Sequence, residues 1–270
     1  MESFSYNLMV QRLNSEEKRE RLDSCNEVRE AQQKGYINRK VLQEVNNHVH
    51  TIYSFSPYSP TLAAFKAWEA GLTIVGSVDH DSISASREIK AASALIGIAS
   101  TSGFELRVSF LDSPFKDKKI NNPDSKGIVY MVVHGVKESA VDQVAEFLKP
   151  VQKARNKRNR KQVEALNALI AHSGLPLIDF DKDVVPISKI EEGGSITERH
   201  ILYALSQKMY QYLKSQKAVV SFLKETLTIS IPSKIETILL DIENEHFLYD
   251  LLGLFKSAYL DKFFIQPSSD

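Results

Sequence analysis

From about residue 45 onwards, the apolar positions fall in short continuous runs that alternate with helix-like segments. The runs are rich in β-branched residues and predict strands at residues 44–50, 72–78, 98–101 and 128–133. Ser59 followed by Pro60 predicts a capped helix start that Gly71 closes, and Ser82 or Ser84 is expected to cap the next helix. Strands that alternate with helices indicate βαβ units, and therefore an α/β fold with a parallel sheet or barrel.

The regions on either side of these strands have helical patterns. Residues 1–40 form a charged leading segment whose helix is expected to begin near Ser15, end at Gly35 and lie against the rest of the chain. Residues 41–270 are expected to form the barrel domain, with a helical insertion at about 137–196. Further helices are predicted at 197–214, 216–226 and 233–253, followed by a last strand at 260–265.

Composition narrows the class of protein. Lys and Arg total 34 and Asp and Glu total 34, so the chain has no net charge and is not built mainly to coat nucleic acid or an acidic membrane. A hydrophobic content of 43% excludes intrinsic disorder, and no apolar run is long enough to span a bilayer. Cys25 is the single cysteine, so any metal must be held by His, Asp and Glu, and a cytoplasmic location is expected.

Candidate metal ligands stand at the ends of the four predicted strands. His48 and His50 are two residues apart on the first strand, so both imidazoles point to one face and can bind one ion. Each of the next three strands is followed by similar side chains, namely Asp79 and His80, then Glu105, then His134. Because the catalytic face of parallel α/β folds lies at the carboxyl ends of the strands, this placement predicts a metal site.

The ligand types indicate the chemistry. Imidazole and carboxylate without thiolate suit Zn²⁺, Mn²⁺ or Fe²⁺. Four or more such ligands with a bridging carboxylate can hold two or three ions, which together lower the pKa of a bridging water and bind the oxygens of a phosphoryl group. Hydrolysis of a phosphate ester is therefore the expected reaction.

Four segments resemble the PHP (polymerase and histidinol phosphatase) superfamily of metal-dependent phosphoesterases: NNHVHTIYSFSPYSP, SVDHDSIS, TSGFELRV and VVHGV. The resemblance covers roughly residues 40–135, and Thr197 to Ile201 looks like the Arg-x-His-Ile segment of smaller members. It implies a distorted (β/α)₇ TIM-like barrel with two or three divalent ions, at which a metal-bridged hydroxide attacks phosphorus. The implied ligands are His48, His50, His80, Glu105 and His134, with Asp79 as a supporting partner or additional ligand.

Two departures from the family pattern stand out. Many members have an Asp ligand seven residues after the first His, where this chain has Phe55. The family also completes its site with an Asp-x-His pair, and no such pair occurs after residue 135. The first departure is expected to weaken or change one metal subsite. The missing pair, together with a last strand at 260–265 that no covering helix follows, indicates that the barrel is incomplete at its C-terminus and that a longer chain carries the missing ligands.

Several basic residues are candidates for binding the substrate. Arg107 follows Glu105 by two residues and could grip a phosphate or form a surface ion pair. Arg199 and His200 stand at a predicted helix start, where Ser195 and Glu198 are expected to form a capping box and backbone N–H groups favour an anion. The basic run from Lys153 to Lys161 could guide a nucleic acid, although such runs are more often the solvated face of a helix.

The substrate stays open at this stage. A small phosphomonoester, a nucleotide and the end of an oligonucleotide all fit a metal-dependent phosphoesterase. Two alternatives remain: a hydrolase that uses the same ions on a C–N or C–O bond, and a non-catalytic binding or scaffold module.

Overall fold

The computed structural model describes residues 4–122 and 125–265, and it divides into two units. The first unit contains residues 1–152 and 189–195, and the second contains 153–188 and 196–270. All four predicted strands lie in the first unit, and each unit is described by itself below.

The first unit contains a single four-stranded sheet in the order β1-β2-β3-β4. Its strands are β1 (Val45–Val49), β2 (Ile74–His80), β3 (Ala99–Ser109) and β4 (Ile128–His134). The α/β class is confirmed, and each of the four predicted strands overlaps a strand of the structure. The described residues hold these four strands, so they do not form a complete seven-stranded barrel.

The direction of β4 differs from the prediction. β1, β2 and β3 are parallel, but β4 runs antiparallel to β3. A parallel connection needs a long crossover, usually a helix. The described residues between β3 and β4 contain no helix, so the chain turns back as a hairpin.

β3 is also longer than predicted, and Glu105 lies inside it instead of beyond its end. Its site-facing residues Gly103, Glu105 and Arg107 alternate with the apolar residues Phe104 and Leu106, a pattern that looks like a loop when only continuous apolar runs are counted. Gly103 has no side chain because a Cβ there would lie 1.9 Å from the carbonyl oxygen of Val133 on β4. The third strand therefore carries the site residues within a paired sheet.

Helices of the first unit are α1 (Tyr6–Leu13), α2 (Lys18–Gln33), α3 (Pro60–Glu69) and α4 (Ser86–Ile96). α3 begins as predicted, because Ser59 accepts a hydrogen bond from the Leu62 N–H and Pro60 takes the first helical position. α4 begins after Ala85 without a side-chain cap, so neither Ser82 nor Ser84 caps it. The separate helix α1 was not predicted.

The leading segment packs into the same core as α3 and α4. Met9, Leu13 and Val28 are buried against Leu62 and Trp68. A buried ion pair also joins the segments: Arg21 donates from Nε and Nη2 to the two oxygens of Glu88 at 2.7 and 2.6 Å, and Thr61 Oγ1 donates to the same carboxylate at 2.9 Å. These contacts agree with the prediction that the leading helix lies against the rest of the chain.

α5 (Val141–Ile170) begins in the first unit and ends in the second. It is followed by α6 (Glu198–Leu213), α7 (Gln216–Glu225), α8 (Ser233–Leu240) and α9 (Phe247–Phe263). Short 3-10 and π turns lie at Glu138–Ala140, Ala171–Ser173, Phe180–Val184, Val185–Ile187 and Ile190–Glu192. In the described part of the chain, no helix combines the length and the apolar character that crossing a membrane requires.

Two predictions for the second unit are wrong. The helix predicted at 233–253 is two helices, and the strand predicted at 260–265 lies largely within α9. Phe255, Tyr259 and Phe263 are buried at intervals of four residues, which is the spacing of one helix face. Since α9 takes the place of the uncovered last strand, that strand no longer supports the expectation of an incomplete barrel. The residues from 266 lie outside the described residues.

Candidate metal centre

The carboxylate of Glu105 lies between two histidines. Glu105 pairs in register with His80 on β2, and its side chain is buried. One oxygen, Oε1, lies 3.1 Å from His80 Nδ1, and the other, Oε2, lies 3.0 Å from His48 Nε2. A single carboxylate thus presents a different oxygen to each imidazole.

An irregularity in β1 places His48 and His50. The pairing of β1 with β2 shifts between Asn46 and Val49, so β1 has one extra residue there. Such bulges redirect side chains and are frequent beside functional sites. Gly76 on β2 permits the bulge, because a Cβ at that position would lie 2.7 Å from Asn47 Cα.

His48 in β1 and His50 directly after it therefore lie beside His80 at the edge formed by the strand ends. The ring centroids of His48 and His50 are 5.2 Å apart, and those of His50 and His80 are 4.5 Å apart. The structure thus brings the three predicted imidazoles close to one another and to Glu105.

Asp79 supports the loop after β1. Its buried carboxylate accepts hydrogen bonds from Thr51 N–H at 2.6 Å, from Thr51 Oγ1 at 2.7 Å and from Ser54 Oγ at 2.7 Å. Ser54 Oγ also lies 3.3 Å from His50 Nδ1. Since the single hydroxyl proton of Ser54 is donated to Asp79, its oxygen accepts from Nδ1–H, which leaves the lone pair of His50 on Nε2.

Burial and neighbouring charges set the pKa values of the two carboxylates. Burial raises the pKa of Glu105, but the adjacent His80, together with His50 and His48, outweighs it, so that the net pKa is lowered. Burial also raises the pKa of Asp79, and here it outweighs the hydrogen bonds from Thr51 and Ser54. The surrounding imidazoles therefore favour the ionised form of Glu105.

The donor set fits a divalent transition-metal ion. Ligand atoms of His48, His50 and Glu105 all lie within 4.8 Å of one another. His80 Nδ1 is buried and faces Glu105 without making a hydrogen bond of good geometry to any group. A buried ring nitrogen directed at a carboxylate without such a bond suits a ligand atom, and imidazole with carboxylate suits Zn²⁺, Mn²⁺ or Fe²⁺.

The structure places the other predicted ligands differently. His134 pairs with Gly103, two residues before the level of Glu105, and its side chain is exposed. Because β4 is antiparallel, its carboxyl end points away from the edge where β1 to β3 end. Asp79 contacts Thr51 and Ser54 and is outside the cluster of mutually close ligand atoms in the described residues. Phe55, in place of the family's Asp, has a left-handed backbone with φ of 89°.

Arg107 lies on the same side of the sheet as Glu105, two residues further along β3. Its Nε donates a hydrogen bond to the hydroxyl of Tyr130 on β4 at 3.2 Å. The Tyr130 ring centroid is also 5.8 Å from that of His80. Tyr130 is thus a site residue that sequence reasoning missed, and only the antiparallel register of β3 and β4 could have indicated it.

The segment Lys189 to Ser195 packs against the loops that follow β1 and β2 within the first unit. Ser195 donates from its backbone N–H to the Tyr53 carbonyl at 2.7 Å and from Oγ to the His80 carbonyl at 2.6 Å. Ser82 and Ser84 donate to the carbonyls of Gly193 and Glu192 at 2.7 and 2.8 Å. The serines predicted to cap helices instead hold this segment against the site.

Arg199 and His200 stand at the start of α6, in the second unit. The capping box predicted for Ser195 and Glu198 is wrong, because Thr197 is the N-cap and His200 Nδ1 accepts from the Thr197 N–H at 3.0 Å. Burial lowers the pKa of His200 to about 3, so this side chain is neutral and does not supply the positive charge expected of a phosphate ligand. Arg199 is exposed in the first turn.

The basic run in α5 is divided between two faces. Arg155 is buried, Arg158 lies 3.4 Å from the carboxylate of Glu198, and Arg160 pairs with Asp181 at 2.5 and 2.6 Å. The exposed stripe consists of Lys153, Lys157 and Lys161, which are four residues apart. This surface carries less unpaired charge than the sequence suggests.

No family model matches the chain, and no curated protein matches it. The solved structures similar to this chain include the following two. A candidate metal-dependent phosphoesterase from Bifidobacterium adolescentis is 22% identical with a TM-score of 0.48, over 73% of this chain and 62% of that one. An amidohydrolase from Chromobacterium violaceum, with bound sulfate and no metal, is 20% identical with a TM-score of 0.46, over 72% of this chain and 62% of that one. The chain thus spans less than two thirds of either protein, and likeness at this level assigns no activity.

Proposed function

We propose that this chain is a metal-dependent hydrolase that cleaves a phosphate ester. The observation that carries the proposal is the Glu105 carboxylate, which faces His48 with one oxygen and His80 with the other, while Arg107 stands two residues further on the same face. His48 and His50 with one oxygen, and His80 with the other, would hold two divalent ions of Zn, Mn or Fe. Bound ions of this kind supply a water of lowered pKa and neutralise phosphate oxygens.

The chain's own residues have separate tasks in this proposal. Asp79 fixes His50 through Ser54, so that Nε2 keeps its lone pair. Glu105 stays ionised because the imidazoles around it lower its pKa. Arg107 binds phosphate oxygens with its planar guanidinium. Arg199 is a second candidate for contacting the substrate phosphate, and the exposed lysines of α5 are candidates for a longer polyanion.

The test combines metal analysis with substrate profiling of the full chain. We expect bound Zn, Mn or Fe in stoichiometric amounts and hydrolysis of p-nitrophenyl phosphate. The variants Glu105→Gln and His48→Ala should lose both metal and activity, whereas His172→Ala, a histidine outside the cluster, should keep both. Phosphate ester hydrolysis that persists unchanged in both site variants would refute the proposal.

The same measurements separate the alternatives. Cleavage of amides but not of phosphate esters would indicate a hydrolase of C–N bonds. Substoichiometric metal in the wild-type protein would favour a binding or scaffold module, which Phe55 at the position of a carboxylate ligand allows. The variant His134→Ala tests the remaining predicted ligand, because a lower metal content would restore His134 to the ligand set.

A further inference from the structure

Tyr130 contacts two residues of the proposed site. It pairs directly with Arg107 across β3 and β4, and residues opposite each other in an antiparallel pair share one face. Its hydroxyl accepts a hydrogen bond from Arg107 Nε at 3.2 Å, and the Arg107 Cζ lies 5.5 Å from its ring centroid. On the other side, its ring centroid is 5.8 Å from that of His80.

The backbone of Tyr130 is itself fixed on the outer side of β4. The side-chain amide of Asn121 donates to the Tyr130 carbonyl at 2.8 Å and accepts from the Tyr130 N–H at 2.9 Å. Asn121 thus satisfies the backbone groups that an edge strand would otherwise leave open. The backbone that carries the Tyr130 ring is therefore held by β3 on one side and by Asn121 on the other.

A partner that holds an arginine in place reduces the entropy that its side chain loses when it binds a ligand. A free Arg side chain has about 2 kcal/mol of rotamer entropy to lose when it binds in one geometry. The hydrogen bond from Nε and the contact with the ring restrict the last torsions of Arg107 before any ligand arrives. A guanidinium oriented in advance loses less entropy when it binds a phosphate.

We propose that Tyr130 is a positioning residue that orients Arg107 for binding the phosphate group of the substrate. The inference rests on the proposed function, since it assigns Arg107 to the phosphate. It goes beyond that function by making affinity for phosphate depend on a hydroxyl that lies on the neighbouring strand. Tyr130 acts through Arg107 and not through the metal ligands.

The test is a double-mutant cycle on the metal-loaded full chain with Tyr130→Phe, Arg107→Gln and the double variant. The measurements are KM and kcat for p-nitrophenyl phosphate, the dissociation constant of inorganic phosphate by calorimetry, and metal content. Tyr130→Phe keeps the ring and removes one hydrogen-bond acceptor, so KM and the phosphate dissociation constant should rise roughly two- to tenfold with little change in kcat. In the Arg107→Gln background the same change should have no further effect, and Tyr36→Phe, an exposed tyrosine of the first unit, should behave as wild type.

Three results would overturn the inference: wild-type phosphate affinity in Tyr130→Phe, an equal effect of that change with and without Arg107, or loss of metal from Tyr130→Phe. The proposed function can fail separately. A wild-type protein that binds inorganic phosphate with the predicted coupling, but cleaves no phosphate ester, would refute the function and leave the role of Tyr130 standing. A wild-type protein that binds no phosphate would refute the inference whatever ester it cleaves.

Discussion

Replacing Ser54 by Ala tests whether the Asp79 network positions a metal ligand or only stabilises a loop. Ser54 is buried, with 2% of its surface exposed, and its hydroxyl connects Asp79 at 2.7 Å with His50 at 3.3 Å. The substitution removes one of the three hydrogen bonds to the Asp79 carboxylate, and Thr51 keeps the other two. A hydrogen bond to a charged group contributes about 1.5–3 kcal/mol, so the metal-free protein should lose stability of this order.

The change in metal affinity of Ser54→Ala tests the positioning of His50 more directly than the change in stability does. Without the Ser54 oxygen, His50 Nδ1–H loses a partner that fixes the tautomer and the orientation of the ring. Loss of such supporting partners typically lowers metal affinity by about 10- to 100-fold, or about 1.4–2.7 kcal/mol. Titration with Zn²⁺ or Mn²⁺ against a competing chelator measures the affinity, and urea unfolding of the metal-free protein measures the stability.

Ser56→Ala is the matched control. Ser56 lies in the same loop, and its hydroxyl accepts from the Tyr58 N–H at 3.2 Å without contacting Asp79. It should change stability by less than about 0.5 kcal/mol and leave metal affinity unchanged. If Ser54→Ala loses stability as expected but binds metal like the wild type, the network is structural only, and the reasoning about His50 is wrong.

Three further predictions concern residues outside this network. Since the pKa of His200 is about 3 in the folded protein and 6.5 for an unperturbed histidine, stability should be complete above pH 6.5 and fall as the pH approaches 3. The free energy of unfolding should be lower by about 2 kcal/mol at pH 5 than above pH 6.5. Urea unfolding of His200→Gln should lack this dependence of stability on pH, and a dependence equal to that of the wild type would contradict the neutral buried state of His200. Arg21→Met leaves Glu88 buried without its partner and should lower the free energy of unfolding in urea by about 3–5 kcal/mol. Adding Glu88→Leu should recover most of this stability, and a double variant as unstable as the single one would refute the reasoning. Gly76→Ala places a Cβ 2.7 Å from Asn47 Cα and should displace the β1 bulge. We expect the free energy of unfolding to fall by about 1–3 kcal/mol and the metal affinity, measured by titration, to fall at least about tenfold. Wild-type metal affinity in this variant would show that the bulge does not place His48.

Features fixed by local sequence could be predicted. Ser59 and Pro60 start α3 because a hydroxyl cap and a proline at the first helical position act over a few residues. The strand spacing of His48 and His50 predicts that they lie close together, although the bulge in β1 sets their final positions, and the α/β class follows from the alternation of strands and helices. The strands β1, β2 and β4 both begin and end within two residues of their predicted bounds, and β3 begins within one.

Features fixed by long-range contacts could not be predicted. Tyr130 meets Arg107 only because β4 turns back antiparallel, and nothing in either segment indicates that register. Ser82 and Ser84 have the residue type of helix caps, but their hydroxyls bind carbonyls more than 100 residues away. The apolar run at 260–265 is too short for its period to distinguish a strand from a helix, and the stripe of α9 that precedes it decides the outcome.

The ligands alone do not account for the candidate site, because the groups that hold them come from distant parts of the chain. Ser195 is 115 residues from His80 and binds its carbonyl, while Asp79 is 25 residues from Ser54 and fixes His50 through it. These contacts form only when the first unit is complete, so a fragment that carries the His-x-His segment would keep two imidazoles but lose their orientation. Metal affinity and folding of the first unit should therefore be coupled, because an ion that binds only the folded form stabilises it by mass action. This coupling explains why a motif of two histidines is weak evidence by itself and becomes specific only with Glu105, Asp79 and the segment that closes over them.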